Sequence, residues 1–181
     1  TPGSEQSGAF TFVNSSVSAL SVGTVEPESP ESTNLFGRTE GVTTVQGTAP
    51  GAGLNDITIK TSGSLNLAAP VHASNTGTVR LQAADAITQD AAGLITPAGL
   101  ITAAALAAEA GASVTLTQNN TIVGVVDGAS KGVVAGRASN GAFRLVNTAV
   151  TEVGLVTAVP NLFSESVGVT AVRGTSTSND I

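Results

Sequence analysis

At 181 residues the chain is long enough for one domain with a core of its own, and thirteen acids against seven bases leave it at −6. The bases are scattered singly from Arg38 to Arg173, which excludes nucleic acid and anionic membrane surfaces as partners, since both need concentrated positive charge. Cys, Trp, Tyr and Met are absent and Phe occurs only five times, so disulfides and thiolate metal sites are excluded and the composition suits a core of small aliphatic residues stacked on their like.

The chain opens, from Ser7 to Val25, on alternating apolar and polar residues rich in Val, Thr and Phe. This predicts two short strands around an Asn14-Ser15-Ser16 turn, with Phe10, Phe12, Leu20 and Val22 on one side. Glu26–Ser32 carries two prolines and three glutamates and reads as an exposed loop inserted into a scaffold. From Leu54 to Gln118 short apolar blocks follow one another. Ile57-Thr58-Ile59, Val79-Arg80-Leu81, Leu100-Ile101-Thr102 and Val114-Thr115-Leu116 start 22, 21 and 14 positions apart. Secondary blocks lie between them at Leu65-Asn66-Leu67, Ala86-Ile87-Thr88 and Leu94-Ile95-Thr96. Turn formers such as Thr61-Ser62-Gly63-Ser64 and Gln118-Asn119-Asn120 separate the blocks.

Strands of three to five residues with turns every eight to ten predict an all-β fold, and the rhythm predicts a solenoid of about twenty residues per coil. Ala98–Ala110 competes with that reading, because its alanines favour helix. The repeated Leu-Ile-Thr triplets (Leu94–Thr96 and Leu100–Thr102) tip it towards strand. Ile122–Val126 and Lys131–Ala135 add two further strand-like blocks.

At Gly141 the opening returns. Gly8-Ala9-Phe10-Thr11-Phe12-Val13-Asn14 matches Gly141-Ala142-Phe143-Arg144-Leu145-Val146-Asn147, 133 positions on. Gly41-Val42-Thr43-Thr44 matches Gly168-Val169-Thr170-Ala171 at an offset of 127, and Asn55-Asp56-Ile57 matches Asn179-Asp180-Ile181 at 124. Conserved blocks with shrinking spacers are how stacked repeats diverge. The expected organisation is one solenoid segment over 1–181, with a long repeat (about 8–140) and the start of the next (141–181).

Leu20–Val25, Asp56–Val71 and Gly77-Thr78-Val79-Arg80-Leu81-Gln82-Ala83-Ala84-Asp85-Ala86-Ile87-Thr88-Gln89 resemble the repeat regions of filamentous-haemagglutinin-like bacterial exoproteins, of the two-partner secretion and autotransporter passenger type. That resemblance implies a right-handed parallel β-helix, an outer-membrane secretion partner, an extracellular or cell-surface location, and service as a fibre or adhesin stalk. Partners implied by that role are neighbouring repeats, copies of the chain end to end, and host-cell, glycan or abiotic surfaces.

No catalytic, cofactor or metal site is expected. His72, the only histidine, lies beside Ser74-Asn75 and reads as a solvated turn residue, since no nucleophile motif surrounds any serine. Asp85 and Asp90 are the nearest pair of carboxylates for a carbohydrate-active or sugar-binding alternative. Without aromatic platforms they read as turn residues. Asp56 and Asp127 read as Asx-turns rather than calcium ligands. Asn14 and Asn147 hold equivalent places and are candidates for an asparagine ladder. No apolar run reaches the ~18 residues of a spanning helix, so the chain is not expected to span a membrane.

Overall fold

The computed structural model describes residues 8–26, 38–44, 55–73, 76–90, 101–126, 129–172 and 181. The chain enters as β1 (Phe10–Asn14), β2 (Leu20–Val22), the two-residue β3 (Thr24–Val25) and β4 (Thr39–Glu40), and β5 (Val42–Thr44). The middle of the chain follows as β6 (Ile57–Thr61), β7 (Leu65–Leu67), β8 (Val71–Ala73), β9 (Thr78–Ala83), β10 (Ile87–Gln89), β11 (Ile101–Ala103), β12 (Ala105–Ala110) and β13 (Val114–Ile122). After a small hairpin, β14 (Val125–Val126) and β15 (Ala129–Ser130), come β16 (Gly132–Ala138), β17 (Phe143–Asn147) and β18 (Thr151–Val153). The last strands are β19 (Leu155–Val156), β20 (Ser166–Val167) and β21 (Val169–Ala171).

Two parallel sheets are layered against one core. The first runs β1-β6-β9-β12-β16-β18, with β21 also on β16. The second has two wings, β2-β7-β10 and β5-β8-β11, joined through opposite ends of β13 and capped by β17.

The in-register columns of the first sheet show why these residues make it. Phe10, Ile57, Val79, Leu106 and Val134 stack inward, and so do Phe12, Ile59, Leu81, Ala108 and Gly136. The second column shrinks along the stack because the Phe143 ring fills its far end. A Cβ on Gly136 would lie 2.6 Å from that ring, so only glycine fits. Opposite, Leu20, Leu65, Ile87, Val114 and Phe143 form the matching inward column of the second sheet. Between the phenylalanines at the two ends, small aliphatic residues stack on their like and pack densely.

The expected right-handed parallel β-helix, a solenoid of about twenty residues per coil, is corrected by this topology. All-β content holds, but the strands form layered parallel sheets with no constant interval between partners. Asn14 bonds Thr61 at a separation of 47, Asn66 bonds Thr88 at 22, and Gln82 bonds Glu109 at 27. Three antiparallel hairpins (β3/β4, β14/β15 and β19/β20) interrupt the parallel order. The physical cause is that insertions are absorbed at sheet edges and corners while the columns are kept.

The Ala-rich stretch is strand, as expected, over 101–103 and 105–110, and 105–110 forms the centre of the first sheet. Its place in the stack differs from the expected one. The neighbour of Val79-Arg80-Leu81 is therefore Leu106-Ala107-Ala108, not Leu100–Thr102. Gln118-Asn119-Asn120 is no turn. It lies inside β13, where the chain rounds a corner with an irregular register against β17. Leu94–Thr96, most of Glu26–Ser32, Asp127 and Asn179-Asp180 lie outside the described residues.

Candidate functional site

The sequence repeat is also a repeat of structure. β1, β2, arm β3/β4 and β5 recur as β17, β18, arm β19/β20 and β21. In both units the arm leaves after a glycine and the sheet resumes after another glycine that lies in the left-handed region, Gly41 at φ 66° and Gly168 at φ 67°. The paired glycines bond in the same way, Gly41 N–H to the Gly23 carbonyl at 3.1 Å and Gly168 N–H to the Gly154 carbonyl at 2.8 Å.

Arm β19/β20 folds back over the outer face of the first sheet. It follows one outward column, Thr58, Arg80, Ala107 and Ala135. All four are buried although they face away from the core. Val156 and Phe163 pack on Ala107 and Ala135, with Ala105, Val133 and Val159 around them. The small side chains at the two positions let the arm lie close to the sheet.

Polar contacts fix the rest of the arm. Arg80 Nη1 donates to Asp56 Oδ2 at 2.7 Å, and Arg80 Nε donates to the Thr157 carbonyl at 3.0 Å. The ion pair is buried, at 3% and 10% side-chain exposure. Asp56 Oδ1 accepts the Thr78 N–H at 2.9 Å, so both carboxylate oxygens are used. Ser166 Oγ donates to Glu109 Oε1, and Lys60 Nζ reaches the Leu162 carbonyl at 3.4 Å. At its tip Asn161 takes φ 63°, the positive-φ residue other than glycine among those described.

A second polar constellation lines the corner of the other sheet. Asn120 is fully buried. Its Nδ2 faces the Leu116, Gln118 and Val146 carbonyls at 3.0–3.1 Å and its Oδ1 accepts from Gln89 Nε2 at 2.7 Å and from Ile101 N–H at 2.9 Å. Asn147 stands in register above it, accepting from Ile122 N–H at 2.7 Å and donating to the Ile122 and Ala149 carbonyls. The amides supply the hydrogen bonds that the backbone loses in rounding the corner.

The residues singled out in the sequence fall apart in space. Asp85 is exposed at a turn and accepts from Ser64 Oγ at 2.8 Å, while Asp90 lies beyond the other end of β10. Neither lines the clefts between sheet and arm or those at the two ends of the core. His72 is not in a turn. It lies in mid-strand, half-buried in an outward column with Thr43 and Thr102. Asp56 is not an Asx-turn but the buried partner of Arg80. Asn147 joins Asn120 in an amide stack, whereas Asn14 bonds Thr61 Oγ1 at 3.2 Å. Among the described residues no three His, Cys, Asp or Glu side chains converge on one point, and no helix is long and apolar enough to cross a membrane.

Sequence reasoning missed Arg80, Ala107 and Asn120. The readable signal was a lone arginine between Val79 and Leu81, which a strand facing bare solvent does not require but a strand beneath an arm does.

Each end of the core carries a largely apolar cleft. At one end Phe10, Phe12, Leu20, Val22 and Val42 line a cleft, and Phe12 is 43% exposed. At the other, Val134, Phe143, Leu145, Val153 and Val169 line its counterpart. The outer edges of β1 and of β2/β5 at the first end, and of β17 and of β18/β21 at the second, have no strand partner among the described residues.

Comparison with protein-family models, with curated proteins and with solved structures finds no match to this chain.

Proposed function

We propose that the chain is an extracellular structural or adhesive repeat segment of a bacterial surface fibre or adhesin stalk, acting through reach, rigidity and surface contact. One observation carries the reading: a unit of strands and arm that recurs at both ends of a parallel stack whose terminal edges have no strand partner among the described residues. An open edge beside an apolar cleft is a template for further strands. The resemblance of Gly77–Gln89 and its neighbours to filamentous-haemagglutinin-like exoproteins supports the same role, together with export through an outer-membrane partner. Neighbouring repeats or copies of the chain are then the first partners, and host-cell, glycan or abiotic surfaces the second.

Electron microscopy of material sheared from the producing cells is the test. Long uniform filaments with an axial spacing near ~4.8 Å are expected. Separate round particles lacking that spacing would sink the fibre reading.

A further inference from the structure

The two arms share a design and differ in what they touch. With Gly23 matched to Gly154 and Gly41 to Gly168, Val25 takes the place of Val156 and Thr39 that of Ser166. Val156 is 3% exposed beneath its arm, while Val25 is 69% exposed. Ser166 is buried on Glu109, and Thr39 is exposed. The second arm lies back over earlier strands of its sheet, β16 and β12. Among the described residues the first arm has no earlier strand of its sheet to lie on, because β2 and β5 form the edge of theirs.

The ends also match each other. In the first sheet one end is the continuous β1, and the other is a strand split by an arm, β18/β21. In the second sheet the order is reversed, with the split β2/β5 at the first end and the continuous β17 at the other. Within the chain a split strand already pairs with a continuous one, as β18 and β21 do with β16 and β10 and β11 with β13. A head-to-tail contact between copies repeats that pairing in both sheets at once.

From this we infer that arm β3/β4 is a strap for a second copy of this chain. It closes over the outer face of β17 at the far end of the neighbouring copy, as β19/β20 closes over β16 within its own chain. Val25 then packs on Val146, an outward residue of β17 that is 42% exposed. The acidic arm, with Glu26 and Glu40 around Arg38, faces Arg144 on the same strand. The proposal rests on the fibre reading and adds to it the joining surface and its partner.

The chain has no cysteine, so introduced thiols report without background. A Val25→Cys, Val146→Cys variant treated with a short bismaleimide should give a ladder of covalent oligomers. A Val17→Cys, Val146→Cys control, placed at the same end but off the arm, should not. In parallel, Val25→Asp should weaken self-association at least tenfold by sedimentation, with an unchanged unfolding midpoint to show that the fold survives. Equal ladders from both pairs, or self-association indifferent to Val25→Asp, would overturn the strap. Native filaments on the cell beside a purified chain that stays monomeric would also overturn it, and would leave the fibre reading standing.

Discussion

The strands β1 to β5 and β17 to β21 follow the same succession of strand, strand, arm and strand, but they settle in different surroundings. β1 joins the first sheet and β17 the second. The arm of the later unit is clothed by a sheet face, and that of the earlier one is bare. The local signals, above all the left-handed glycines, reproduce the local shape wherever the unit lies. Sheet membership and burial are decided by whichever strands arrive beside it. The repeat thus encodes a module, and its neighbours decide how strongly each contact counts.

The sharpest way to break the comparison is to unlatch the clothed arm. Arg80→Met leaves the Asp56 carboxylate buried and unpaired and strips the Thr157 carbonyl of its donor. The expected loss is about 3–5 kcal/mol of unfolding free energy, read by urea denaturation. Adding Asp56→Asn to the same chain should return most of it, because the isolated charge carries most of the penalty. Arg38→Met on the bare arm, where the guanidinium is exposed between Glu26 and Glu40, should leave the urea midpoint where it was.

The matched glycines give the next contrast. A Cβ at Gly41 runs into the Pro70 carbonyl, whereas at Gly168 it meets nothing within 4 Å. Both substitutions carry the left-handed backbone penalty, so Gly168→Ala should cost about 1 kcal/mol. Gly41→Ala adds a backbone clash and should cost about 3 kcal/mol. Equal losses would show that the Pro70 carbonyl does not distinguish the two turns. The matched asparagines follow. Asn147→Ala abandons the Ile122 N–H and the Ile122 and Ala149 carbonyls at a half-buried corner, for roughly 2 kcal/mol. Asn14→Ala gives up bonds to Thr61 Oγ1 and the exposed Ser16 N–H, for about 0.5 kcal/mol by the same measurement.

Much of this module was legible in the sequence. The alternation around Phe10 and Phe12, the blocks at Ile57, Leu65, Val79, Ile87 and Val114, and the return of the unit at Gly141 all correspond to strands. The stacking interval was not legible, because it is set by how far the chain travels between columns. Nothing local marks that distance. Ala105–Ala110 was ambiguous for a related reason: its alanines favour helix in isolation and only the repeated Leu-Ile-Thr triplets tip it towards strand, while Ala107 packs under an arm some fifty residues later. Asn120 read as a turn former because a buried corner amide and an exposed turn amide look the same in one dimension. The latch was the least legible part, since Asp56, Arg80 and Thr157 meet only after two sheets and an arm have formed.

The smallest effect separates the two arms most directly. Val156→Ala removes two methyl groups from a closed contact against Ala107 and Ala135 and should cost about 1–1.5 kcal/mol. Val25→Ala in the isolated chain removes the same groups from water and should change stability by less than about 0.5 kcal/mol. The difference belongs to the neighbour and not to the residue. It should therefore close when the neighbour is supplied: in concentrated, assembled protein Val25→Ala should lower the melting midpoint of the assembly, while the dilute monomer melts as before. A Val25→Ala chain that melts like the parent at every concentration would mean that the bare arm has no counterpart to its clothed twin. The repeat would then be a resemblance of sequence and local shape alone.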